Sequence, residues 1–152
     1  MNLKADKHFP GAARLLLVDD HAAGLAARSM VLTELGYEIT AVRSAEEAIE
    51  QFERSPFPVV VTDYRMPGIN GIELIEALRE LAPETRVVLI SGFVDGMGLT
   101  EENTGADAVI MKSANEVQQL VRSVHRLSRR AVAKNPIRAR SIAKVRSAAV
   151  PS

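Results

Sequence analysis

Short runs of unbroken apolar residues recur along this chain, separated by segments in which apolar residues return every three or four positions. Leu15-Leu16-Leu17-Val18, Val59-Val60-Val61 and Val87-Val88-Leu89-Ile90 are runs of the first kind. Such runs read as strands buried on both faces of a parallel sheet. The pattern predicts strands at Arg14–Val18, Tyr37–Val42, Phe57–Thr62, Arg86–Ile90 and Ala106–Met111. The intervening segments read as helices. His21 to Leu35 is Ala- and Leu-rich and stops at Gly36, a suitable C-terminal cap. Ser44-Ala45-Glu46-Glu47 has the form of a capping box and opens a helix to about Arg54. Asn70-Gly71-Ile72-Glu73 opens another, with Ile72, Leu74, Ile75, Leu78 and Leu81 as its apolar residues and Pro83 beyond its end. Ser113-Ala114-Asn115-Glu116 has the form of a second capping box before Val117, Leu120, Val121, Val124 and Leu127. Strands alternating with helices predict an α/β fold: a five-stranded, doubly wound parallel sheet with helices on both faces. Gly92, Gly96, Gly98 and Gly105 bracket Leu99 to Thr104, which leaves room for at most a short helix in a mobile loop.

Acidic residues stand at the ends of two of these strands. Asp19 and Asp20 close the first, and Asp63 closes the third. Ligands of open α/β sheets bind just beyond the carboxyl ends of such strands, so three carboxylates would converge there. Two unit charges about 4 Å apart repel by roughly 4 kcal/mol at an effective dielectric near 20. A hard, oxygen-seeking cation such as Mg²⁺ offsets that repulsion. Taken singly, each residue also has a plainer reading. Asp19 suits a helix cap and Asp63 a turn before Pro67 and Gly68. Ser91 suits a loop before Gly92, and Lys112 a solvated strand end. His21 reads as an exposed residue of the first helical turn, Met66 as a packing residue, and His125 lies off the apolar face of its helix.

Composition narrows the class. The 152 residues are 47% apolar, enough for one domain with its own core. Cysteine is absent, which excludes disulfides and thiolate metal sites. No apolar stretch approaches the length of a membrane span, and Met1 to Pro10 lacks the apolar centre of a signal peptide, so a cytoplasmic protein is expected. The zero net charge hides a division. Residues 1–120 carry 10 basic and 19 acidic residues, a balance of −9, whereas residues 121–152 carry 9 basic residues and no acidic one. A basic tail over 131–152 is expected to be disordered, following a domain over 12–130 and an extension over 1–11.

The order of these residues resembles the receiver domain of bacterial two-component response regulators: an acidic pair after strand one, Asp63 in Asp63-Tyr64-Arg65-Met66-Pro67-Gly68 after strand three, Ser91 after strand four and Lys112 after strand five. The resemblance covers roughly residues 12–130 and implies a flavodoxin-like fold. It further implies that Asp63 takes a phosphoryl group from a histidine kinase or histidine phosphotransfer protein. Asp20 and Asp63, with the main-chain carbonyl of Arg65, would hold Mg²⁺, and Asp19 would orient a water on the metal. Lys112 would pair with Asp63 and then with the phosphoryl group, to which Ser91 would supply a hydroxyl. Such a protein is a phosphoacceptor rather than an enzyme, although it assists its own phosphorylation and dephosphorylation.

Two positions depart from the family pattern. Ser113 follows Lys112 where proline is usual, so a trans bond and a helix-capping role are expected there. Val109 stands where a switching aromatic is common. Too few residues follow the last helix for an effector domain, which fits a stand-alone receiver acting on a downstream protein. The alternative readings are a phosphorylation-independent pseudo-receiver and an aspartyl-phosphate hydrolase, which would want an acid where Arg65 stands. The tail is open to three readings: a solvated extension, a contact for an acidic protein surface, or a sequence-blind contact to nucleic acid, there being no aromatic among its basic residues.

Overall fold

A computed structural model describes residues 13–92 and 98–134, with side chains to residue 129. Five strands and five helices follow one another: β1 (Arg14–Val18), α1 (Ala22–Glu34), β2 (Glu38–Val42), α2 (Ala45–Arg54), β3 (Val59–Asp63), α3 (Gly71–Leu81), β4 (Arg86–Ser91), the single turn α4 (Glu101–Thr104), β5 (Ala108–Met111) and α5 (Glu116–Lys134). All strand pairs are parallel, in the order β2-β1-β3-β4-β5.

Side chains alternate across a strand, so each apolar run feeds two cores. Leu16, Val18, Val60, Val87 and Leu89 face Ala45, Ala48 and Phe52 of α2 and Leu74, Ile75 and Leu78 of α3. Leu15, Leu17, Val59, Val61, Val88, Ile90 and Ile110 face Leu25 and Leu32 of α1 and Leu120, Val124 and Leu127 of α5. The three central strands are therefore buried on both faces. Met66 packs into the first core, as its sequence context suggested. Leu81 and Val117 are exceptions to the expected helix faces: both lie on the outside, 49% and 43% exposed.

Local chemistry sets the element ends. Asn70 and Glu73 form a true capping box at α3. Ser44 caps α2 through Glu47 N, while the Glu47 carboxylate accepts from Arg43 N rather than from Ser44. Gly36, at φ 99°, ends α1 in the left-handed region that glycine enters without strain. β3 begins at Val59, after Pro58, which has no N–H to contribute to the ladder. At the amino edge of the sheet, Asp107 accepts from Val87 N at 2.8 Å and pairs with Arg79 and Arg86 at 2.9 and 3.2 Å. That side-chain pairing displaces the start of β5 to Ala108.

The capping box expected over Ser113–Glu116 does not form. Ser113 Oγ accepts only from Asn115 N at 3.3 Å, and α5 starts at Glu116, whose carboxylate is bonded elsewhere. The Lys112–Ser113 bond is trans. The helix α5 continues to Lys134, past residue 130. Of the loop expected to be mobile, residues 93–97 lie outside the described residues, as do the extension over 1–11 and the tail from residue 135 onward.

Candidate functional site

In the order β2-β1-β3-β4-β5 the connections depart in opposite directions from β1 and β3, which opens a crevice beyond their carboxyl ends. Asp19 and Asp20 lie directly after β1, and Asp63 is the last residue of β3. One carboxylate oxygen from each lies within 4.8 Å of the other two. Asp19 and Asp63 are buried and Asp20 is half-buried.

Lys112 completes the crevice from the far side. Its backbone N–H donates to Ser91 O at 2.8 Å, extending the β4–β5 ladder by one residue. Its side chain reaches back to place Nζ 2.8 Å from Asp63 Oδ1. The contact is an ion pair without hydrogen-bond geometry, so this buried oxygen keeps a free acceptor direction. Burial pushes the Asp63 carboxyl above the ordinary carboxylate range; Lys112 opposes that shift, Asp19 adds to it and Arg28 opposes it. Ser91 is buried at the end of β4, opposite Met111. Arg65 lies on the exposed turn after β3, and Val109 packs half-buried against the first core.

Close packing seats α3 behind Asp63. Gly71 N donates to Tyr64 O at 2.7 Å, and a Cβ on Gly71 would fall 2.5 Å from Asp63 O and 2.7 Å from Leu89 Cδ1. Glycine is required at this position by contact, not by backbone torsion.

Arg28 and Gly24, near the crevice, escaped the sequence reading, and His21 and Glu116 make contacts there that it did not assign to them. Arg28 of α1 places Nη1 2.5 Å from Asp19 Oδ2 and forks through Nε and Nη2 onto the Glu116 carboxylate at 3.1 and 3.3 Å. Gly24 stands beside this contact. A Cβ on it would lie 3.2 Å from Asp19 Oδ2 and 3.6 Å from Arg28 Nη1. His21 is the N-cap of α1: its Nδ1 accepts from Gly24 N at 3.2 Å, and its own N–H donates to Asp19 Oδ1 at 2.9 Å. The signal for Arg28 was its spacing, three after Leu25 and four before Leu32, which puts a cation on the buried stripe of its helix. A charge there implies a buried partner.

The donor set is made of hard carboxylate oxygens, one of them buried and incompletely satisfied, which suits a small divalent cation. It also suits attack by an oxygen of Asp63 on an electrophile held against an ammonium group.

The family model for the response regulator receiver domain matches residues 15–125. The virulence sensor protein BvgS of Bordetella bronchiseptica is 40% identical over 93 residues, which make up 58% of this chain and 7% of that protein. The response regulator receiver protein CpdR of Brucella abortus is 25% identical over 114 residues, or 75% of this chain and 95% of that protein. The chain thus spans a small part of one relative and nearly all of the other. The solved structure of response regulator protein TrrA from Thermotoga maritima, in complex with Mg(2+)-BeF, superposes with a TM-score of 0.64 at 28% identity, covering 73% of this chain and 97% of that one.

Proposed function

Because this chain belongs to the response regulator receiver domain family, we propose that it is a phosphoacceptor of two-component signalling and that Asp63 carries the phosphoryl group. The observation that supports this reading best is the convergence of Asp19, Asp20 and Asp63 with Lys112 Nζ 2.8 Å from Asp63. Each residue has a task that suits its chemistry. An Asp63 oxygen attacks phosphorus of a phosphohistidine on a histidine kinase or phosphotransfer protein. The P–N bond breaks, its electron pair leaves with the imidazole nitrogen, and an aspartyl phosphate remains. Lys112, on a flexible stem, moves with the charge from the carboxylate to the phosphoryl oxygens. Ser91 offers its hydroxyl to one of those oxygens.

Asp20 and Asp63, with the main-chain carbonyl of Arg65, would hold Mg²⁺, and the Asp19 carboxylate beside them would orient a water on it. When bound, Mg²⁺ supplies positive charge that offsets the charge on the transferring group. The chain's own residues assist phosphorylation and dephosphorylation without making it an enzyme acting on other molecules.

The receiver unit is assigned to residues 12–130. We place the protein in the cytoplasm, where its kinase and a downstream protein target would meet it; among the described residues no helix is long and apolar enough to cross a membrane. Incubation with a small phosphodonor and Mg²⁺, read by intact mass, tests the proposal. One phosphoryl adduct is expected, absent in Asp63→Asn and absent with chelator. Equal labelling of Asp63→Asn would overturn the assignment.

A further inference from the structure

The buried contact between Arg28 and Asp19 lies at the edge of the carboxylate cluster and reaches a second helix. Arg28 and Asp19 side chains are 8% and 2% exposed, and Glu116 is 16% exposed. A guanidinium so placed must be compensated, because an isolated buried charge costs several kcal/mol. It is compensated twice, by Asp19 after β1 and by Glu116 in the first turn of α5. Both carboxylates are diverted from more ordinary uses. Glu116 leaves the capping box that its spacing invites. Asp19 offers one oxygen to His21 N and the other to Arg28. Gly24, inside α1, leaves open the space over Asp19 Oδ2, although glycine within a helix costs about 1 kcal/mol relative to alanine.

We propose that Arg28 is a built-in counter-cation of the acidic crevice, competing with the divalent cation for the charge of Asp19 and linking that competition to α5 through Glu116. The inference rests on the reading of the crevice as a Mg²⁺ site. With the crevice free of metal, Arg28 divides its charge between two carboxylates. A cation drawn to Asp19 weakens that carboxylate's hold on Arg28 and leaves more of the guanidinium to Glu116. Anything that strengthens Arg28–Asp19 must, by the same linkage, weaken cation binding. Glu116 thereby sets cation affinity without being a ligand.

A double-mutant cycle, read as Mg²⁺ affinity by calorimetry on the full chain, tests both parts. Arg28→Met unmasks a carboxylate charge beside the site and is expected to tighten Mg²⁺ binding roughly tenfold. Glu116→Gln gives Arg28 to Asp19 alone and is expected to weaken binding about threefold. In the Arg28→Met background, Glu116→Gln is expected to change nothing. Unchanged or weaker binding by Arg28→Met overturns the counter-cation role, and an equal effect of Glu116→Gln in both backgrounds overturns the link. Should Arg28→Met not fold, Arg28→Lys serves. Its single ammonium keeps the charge but not the fork onto Glu116, so binding about threefold weaker than in the wild type, with no response to Glu116→Gln, is expected. A full response to Glu116→Gln there overturns the link as well. Phosphodonor labelling of the wild type runs alongside. Failure to label sinks the phosphoacceptor reading, whereas labelling with an additive cycle sinks only the role of Arg28.

Discussion

Replacing Asp63 with asparagine should make the metal-free protein more stable, at the cost of its chemistry. Asp63 Oδ lies within 4.8 Å of one oxygen each of Asp19 and Asp20. At that distance and an effective dielectric of 20, one such pair repels by about 3.5 kcal/mol. Asp19 is the neighbour whose charge raises the Asp63 carboxyl, and Arg28, paired with Asp19, offsets part of that repulsion. Lys112 returns part of the loss, but it is 39% exposed, so solvent weakens the return. Burial of the carboxylate adds a further desolvation cost. Asparagine keeps the shape and removes the charge, so a gain of about 2 kcal/mol at pH 7 is expected.

The pH dependence follows with a definite sign. The folded carboxyl titrates above its ordinary value, so the folded state holds that proton more tightly than the unfolded chain does. Its contribution to stability is therefore present below the unfolded value, near 3.9, and is lost as pH rises through the raised folded value. The advantage of Asp63→Asn should be largest at neutral pH and shrink as pH falls toward 4. Urea denaturation in chelator at pH 7 and in steps toward pH 4 measures the difference, with other titrating groups common to both proteins. A less stable Asp63→Asn at pH 7, or an advantage that grows on acidification, would refute the reasoning.

Asp20→Ala removes a carboxylate of the cluster and should weaken Mg²⁺ binding by at least tenfold in calorimetry. Lys112→Ala should leave Mg²⁺ bound while slowing labelling by a phosphodonor, a split that a merely structural lysine would not give. Gly71→Ala should cost about 2–3 kcal/mol in urea denaturation, because its Cβ meets backbone at 2.5 Å with nowhere to move. Asn70→Ala should cost about 1 kcal/mol through loss of the α3 cap, with Mg²⁺ affinity unchanged.

The sheet and the acidic cluster were legible in the sequence because both rest on local pattern. Unbroken apolar runs at β1, β3 and β4 demand cover on two faces, and an acid ending such a run is carried to the carboxyl edge whatever else the chain does. Edges of elements were less legible. Asp107 was placed inside β5, yet its carboxylate bonds Val87 N, a use that depends on where β4 lies. The Arg28–Glu116 pair joins residues 88 apart in the chain. Ser113–Glu116 matches a capping box as well as Asn70–Glu73 does, and only the nearness of α1 distinguishes them. Local rules describe what a side chain is able to do, and tertiary placement chooses among the options.

Asp107 has a mechanical consequence of its own. It exchanges bonds with both the N–H and the C=O of Val87 and is clamped by two arginines, so β4 and β5 are riveted together at the end remote from Asp63. Ser91 and Lys112, at the other end of the same two strands, are joined to each other by the Lys112 N–H to Ser91 O bond at 2.8 Å, so the pair of strands is tied at both ends. The hydroxyl of Ser91 and the ammonium of Lys112 are therefore carried beside Asp63 on one ladder whose register is fixed from Asp107 to Lys112.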